Sequence, residues 1–195
     1  MKTPKNVAYS QYYFTNIIIF LFVITLALYS SVSLAAKKQL RKKTKSFSKH
    51  GIIFEYHRGW RLVKNKKTYN NHIIVIRTRR KANIAVFIYP DKKANRLVEF
   101  VRAYNKRIRK KIPKGKVSKS IYEDTQRNIP ASKGAQGVIE KYSIKRRGRE
   151  VPYVREYQRV QGKGKVAYII TTSRERTLKN NTAGFNTIFN SFQFK

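Results

Sequence analysis

From Gly51 to the C-terminus, apolar residues fall in short runs separated by turn-forming residues, and the periods of those runs predict a mixed fold. Ile52-Ile53-Phe54-Glu55-Tyr56 and residues 60–63 read as strands, followed by a polar turn region over residues 64–71. Residues 72–79 and 83–89 read as an antiparallel pair joined through the basic tip Arg79-Arg80-Lys81-Ala82. In the second of these strands Ile84, Val86 and Ile88 alternate with Ala85, Phe87 and Tyr89, so both faces are apolar and a central place in a covered sheet is expected. Asp91 or Asn95 is positioned to cap the helix that follows. There Leu97, Val101, Tyr104, Ile108 and Ile112 lay one apolar stripe along the helix, with Arg102, Lys106, Arg107, Arg109 and Lys110 on its other face, and Pro113 with Gly115 ends it. Residues 116–122, 137–145, 151–161 and 165–173 supply further strands, the last two joined through Gly162-Lys163-Gly164. Phe185, Ile188, Phe189 and Phe192 form a second helical stripe. The sum is an α+β layout of about seven strands and two helices, with a mostly hairpin-connected antiparallel sheet.

Ahead of this region the pattern changes twice. Lys2 and Lys5 precede an almost unbroken apolar run from Ile17 to Leu28, and Ser33 and Ala35 stand at the small-residue positions of a cleavage site before Ala36. Residues 1–35 therefore read as a signal peptide and the protein as exported, periplasmic or extracellular. The competing reading is a retained single-pass anchor, because the run from Ile17 to Ala36 has the ~20 residues a spanning helix needs. Lys37, Lys38, Arg41, Lys42, Lys43 and Lys45 follow it, and positive charge on that side tends to stay in the cytosol. Residues 36–50 show no apolar period and read as a basic linker, which leaves residues 51–195 as a single α+β domain.

Composition changes the functional picture. The chain of 195 residues carries 45 Lys and Arg against 9 Asp and Glu, a formal net charge of +36. Self-repulsion on this scale opposes compaction unless anions offset it. There is no cysteine, so disulfides, thiol catalysis and cysteine-ligated metals are excluded and stability must come from packing.

Both ends of the domain carry a resemblance. Gly51-Ile52-Ile53-Phe54-Glu55-Tyr56-His57-Arg58-Gly59-Trp60 resembles the opening of PsbP-like domains, where an apolar strand ends in a tight turn and Gly-Trp. Val166-Ala167-Tyr168-Ile169-Ile170-Thr171-Thr172, then Phe185, Ile188 and Ser191-Phe192-Gln193-Phe194, resembles that family's last strand, last helix and terminal Ser-Phe-x-Phe. The chain departs from the pattern at His57-Arg58, where many relatives carry a proline, and in its basicity. The resemblance implies an α-β-α sandwich around an antiparallel sheet and a role in binding another macromolecule, since photosystem extrinsic subunits and a Ran-binding protein share the fold. It carries over no functional residues.

Candidate contacts come from clustered charge. Arg77, Arg79, Arg80 and Lys81 lie at one hairpin, Arg107, Arg109, Lys110 and Lys111 at the end of the first helix, and Lys145, Arg146, Arg147 and Arg149 at another hairpin. Arginine can hold phosphate or sulfate with two hydrogen bonds, although basic residues at a helix C-terminus also suit the dipole. Tyr153, Arg155, Tyr157 and Arg159 alternate on one strand face, a spacing that suits either base stacking or cross-strand packing. Gly162-Lys163-Gly164-Lys165 lacks the spacing and following helix of a phosphate loop and reads as a hairpin turn.

Catalysis has little to work with. His50, His57 and His72 show no metal-ligand spacing, Glu55 and His57 share a strand face where a surface ion pair is expected, and Glu123-Asp124 is the one adjacent acidic pair. No cofactor is expected. The sequence points to a non-enzymatic binding protein for a polyanionic surface: an anionic envelope polymer, phospholipid headgroups in peripheral membrane contact, or nucleic acid nonspecifically. An acidic protein surface is the other partner class, and an accessory subunit docking a specific protein complex is the alternative role.

Overall fold

The computed structural model describes residues 43–68, 71–78, 82–113, 116–130 and 132–195; the leader, the first part of the linker and the tip Arg79-Arg80-Lys81 lie outside them. The described chain falls in one compact unit beginning at Thr44. It contains ten strands in two antiparallel sheets, and two α-helices.

The first departure from expectation is that the linker is partly strand. β1 (Thr44–Lys49) pairs along its whole length with β2 (Ile52–His57), and Phe47 stacks on its partner Phe54 at 5.0 Å. One inward side chain in a run of Lys and Ser leaves no apolar period, so residues 44–49 looked like solvent-bound linker. β10 (Gln193–Phe194) adds to the other edge of β2 and completes a three-stranded sheet.

The larger sheet has seven strands in the order β3-β4-β5-β9-β8-β7-β6. They are β3 (Arg61–Lys67), β4 (His72–Arg77), β5 (Asn83–Pro90), β6 (Ile121–Ile129), β7 (Ser132–Arg146), β8 (Arg149–Gly162) and β9 (Lys165–Arg174). Both edge strands extend beyond the apolar runs that predict them. β3 runs on through Lys67 where a polar turn was expected, and β6 begins where a strand was expected to end. An edge strand need not present an apolar face. The charged residues that hid β3 and β6 are, with the bulges at Leu62/Lys64 and Arg127/Ile129, what blunts an edge against pairing with other chains.

β5 and β9 are interior, as the two-faced apolar pattern of β5 required. Ile84, Val86, Ile88, Ala167 and Ile169 point into one core, shared with Phe54, Trp60, Phe185, Phe189 and Phe192. Phe87, Val166, Tyr168 and Ile170 point into the other, shared with Leu97, Phe100 and Val101. α1 (Leu97–Arg109) covers the second face, while α2 (Glu175–Ser191) and the small sheet cover the first. Phe100 lies flat on Tyr168 at 3.7 Å.

α1 stops at Arg109, so Ile112 falls outside it. Neither expected cap is used: Glu99 accepts the Arg96 N–H at 3.2 Å, and Asp91 opens a short 3-10 turn while its carboxylate accepts from Gln161. α2 starts ten residues before its apolar stripe, at Glu175 rather than Phe185, because its first turns are polar and half-exposed. The turns joining β1 to β2, β7 to β8 and β8 to β9 each have two residues at positive φ: His50 and Gly51, Arg147 and Gly148, Lys163 and Gly164. Such two-residue turns match the twist of the strands they join, which settles Gly162-Lys163-Gly164-Lys165 as a hairpin.

Candidate anion-binding surface

The register of the large sheet fixes where the basic clusters lie. Arg77, the last residue of β4, is level with Asn83 on β5, Thr172 on β9 and Arg155 on β8. Arg79, Arg80 and Lys81 lie outside the described residues, but Thr78 and Ala82 close that hairpin at the same end, with Thr78 N–H donating to Ala82 O at 2.9 Å. β7 and β8 continue past this level. Their last pair with a neighbour in β9 is Tyr153 with Arg174, after which four more pairs lead to Arg146 opposite Arg149. The hairpin thus projects roughly 13 Å beyond β9, at ~3.3 Å per residue. Lys145, Arg146, Arg147 and Arg149 are exposed on this arm, which the Val117–Ile144 bridge braces from one side.

Helix α1 runs toward the same end. It starts beside Tyr168, whose hydroxyl donates to Asn95 O, and finishes where Arg109 Nη2 donates to Ser120 Oγ at 2.7 Å and Ser118 O at 3.3 Å. Arg109 is therefore committed to tying the helix to the strand-leading segment. Arg107, Lys110 and Lys111 remain exposed.

Two cross-strand pairs at this end join like charges. Arg61 stands directly opposite Arg77, and Arg146 directly opposite Arg149, all four exposed. Like charges in register destabilise a hairpin unless an anion sits between them. Lys145 does have an acidic partner opposite, Glu150.

The alternating aromatic-basic face of β8 is spent on packing instead. Arg155 and Tyr157 are buried beneath α1. Arg155 Nη1 donates to Glu140 Oε2 at 3.0 Å and Asn105 Oδ1 at 2.7 Å, and Nη2 donates to the Tyr142 hydroxyl at 2.6 Å. Tyr157 donates to Glu140 Oε2 at 2.7 Å, and the guanidinium lies 4.8 Å over the Tyr142 ring. Stacking of bases on Arg155 and Tyr157 is closed off. Asn105 supplies a polar contact from within the buried side of α1, a residue outside the stripe read from the sequence.

Burial pushes the Tyr142 hydroxyl up to about 12 from its ordinary 10, and raises that of Tyr157 as well. The unfolded chain releases these protons near pH 10 while the folded one holds them, so their stabilisation is complete below pH 10 and is lost as pH rises from there through about 12. Unfolding free energies from urea denaturation should fall across that window at about 1.4 kcal/mol per pH unit per phenol, less steeply in Tyr142→Phe. A flat profile would contradict the network.

The residues weighed for catalysis are occupied separately. Glu55 Oε2 accepts from the Thr44 hydroxyl at 3.1 Å, and His57 Nδ1 accepts from the Gly59 N–H at 3.0 Å, in place of the Glu55–His57 pair expected. Glu123 pairs with Lys141 at 2.6 Å on the exposed face of β6. Among the described residues no helix is long and apolar enough to cross a membrane.

No protein-family model matches this chain, and neither does any curated protein. Among solved structures, the solution structure of cyanobacterial PsbP (CyanoP) from Synechocystis is similar over 78% of this chain and 93% of that one, at a TM-score of 0.52 and 16% identity. Two crystal structures share less of the geometry. One is a protein of unknown function from Pseudomonas aeruginosa, with a TM-score of 0.32 and 12% identity over 73% of this chain and 91% of that one. The other is LpqN, involved in cell envelope biogenesis of Mycobacterium tuberculosis, with a TM-score of 0.38 and 10% identity over 78% and 90%. A large antiparallel sheet between two helices, with a small sheet beside α2, gives this chain a PsbP-like fold, the architecture that the two ends of the domain resembled in sequence.

Proposed function

We propose that this is an exported, non-enzymatic binding protein that engages an anionic polymer through the basic end of its large sheet. The observation that carries the reading is the pair of in-register arginines, Arg61 with Arg77 and Arg146 with Arg149, which the fold holds side by side on exposed strands. Phosphate or sulfate groups of a polymer bridge such pairs with charge-assisted hydrogen bonds, and each neutralised group releases condensed counterions. Lys110 and Lys111, exposed just past the end of α1, add charge to this end, whereas Arg109 is held inward and Arg107 lines a pocket with Tyr89 and Lys93, toward the other end of the sheet. The leader-like pattern of residues 1–35 supports export.

Binding to polyphosphate or heparin is expected at low salt, with log K falling linearly against log salt. Replacing Arg146 and Arg149 by serine should weaken it and make that slope shallower by about 1–2, one part for each lost contact. Both side chains are exposed, so the fold should not change. Absence of binding at low salt would overturn the reading. Retention of one stoichiometric protein partner at high salt would replace it with the accessory-subunit role.

A further inference from the structure

At the end of the large sheet opposite the arm, the β1–β2 turn, the close of β3, the start of β4 and the β8–β9 turn surround a cleft of about 440 Å³. Its lining carries the ammonium groups of Lys67, Lys163 and Lys165 and the imidazoles of His50 and His72, with no Asp or Glu among the described residues that line it. The nearest acid along the hairpins, Asp91, bonds through its backbone N–H to Gly164 O while its carboxylate faces Gln161.

The cleft is built around one imidazole. His72 is 4% exposed, stands directly opposite Lys67 across the β3–β4 ladder, and packs edge-on against the His50 ring at 4.3 Å. Its Nε2 lies 2.5 Å from Asn65 Oδ1, an acceptor, which places the ring proton on Nε2. Nδ1 is buried and has no hydrogen-bond partner. Lys165 crowds the same turn: a side chain on Gly51 would run into its ammonium group.

We propose that this cleft binds a phosphate group, held by the ammonium groups of Lys67, Lys163 and Lys165 beside the His50–His72 pair. Three ammonium groups without a carboxylate among them call for a multiply oxygenated anion; one carboxylate would leave most of that charge uncompensated, and a metal cation would be repelled. Ile88, Tyr89 and Pro90 form the less polar wall, which suits an ester-linked phosphate as well as the free ion. The site lies apart from the arginine pairs and does not depend on the polymer-binding reading.

His72 reports occupancy. Burial lowers its pKa to about 4, with the neighbouring His50 and Lys67 adding to the effect. Tyr89, Lys163 and Lys165 are the other titratable groups facing the cleft, from β5 and the β8–β9 turn. A phosphate placed among the lysines offsets their potential and lets the free Nδ1 take up a proton, so binding and protonation favour each other.

The test is an NMR titration of the three histidines of the full chain in sodium phosphate against sodium chloride at matched ionic strength. The His72 pKa should rise by roughly one pH unit or more in phosphate, with His57, outside the cleft, unmoved. The double variant Lys67→Gln, Lys163→Asn should abolish the rise; both side chains are exposed, and asparagine tolerates the left-handed turn position. Tighter binding of sn-glycerol 3-phosphate than of inorganic phosphate would mark the group as ester-borne, and equal binding as the free ion. Identical His72 titrations in phosphate and chloride, or a rise that persists in the double variant, would overturn the proposal.

Discussion

Glu140→Ala is expected to lower folding stability by about 3–5 kcal/mol, the cost of leaving a buried charge without its partner. Glu140 is 1% exposed, and its register partner on β8 is Arg155, 5% exposed. One carboxylate oxygen accepts from Arg155 and Tyr157, and the other from the Ser120 hydroxyl at 2.5 Å. Deleting the carboxylate therefore strands a guanidinium that cannot lose its proton and has no route to water. The double variant Glu140→Leu, Arg155→Met removes both charges and should recover most of the loss, because an apolar pair of similar volume replaces a desolvated one. Recovery stops short of complete, since Tyr142 and Asn105 then lose a partner. Urea denaturation of the three proteins decides it: a loss below about 1 kcal/mol in Glu140→Ala would mean that the ion pair is hydrated and the network is not as closed as it stands here.

Gly184→Ala sets two effects against each other. Glycine inside a helix costs about 1 kcal/mol relative to alanine, so α2 alone would gain from the change. Yet a methyl group on Gly184 would overlap the Trp60 ring, which is 8% exposed and packs at 5.9 Å on Phe185. A rigid indole wedged between a helix and the core cannot yield by turning one bond, and overpacking of this kind costs roughly 1–3 kcal/mol. Net destabilisation is expected from thermal or urea unfolding. In a Trp60→Leu background, itself weakened, the same change should turn neutral or stabilising, and that reversal identifies the contact as the cause.

How much was legible follows from which residues had to be apolar. β5 and β9 are covered on both faces, so every position along them is constrained, and the central place of β5 could be read directly from Ile84 to Tyr89. β1, β3 and β6 bury few or none of their side chains, and the charges that make them safe edges concealed them. The stripe on α1 missed Phe100 and Asn105, which lie on its buried side, because Asn105 is inward for the sake of Arg155 and polarity alone gives no sign of that. The clusters at Arg77 and Arg146 were visible as charge, but that they face like charges across a ladder depends on register, which only pairing reveals. The cleft around His72 is assembled from five separate turns and strand ends, so no local pattern announces it.

The reach of the β7–β8 arm bears on what the total charge of +36 can mean. In physiological salt the ionic atmosphere damps a charge within about 8 Å, and the tip at Arg147 stands farther than that from the end of β9. A molecule touching the tip thus senses the few guanidinium groups around it, while the rest of the protein is electrically remote.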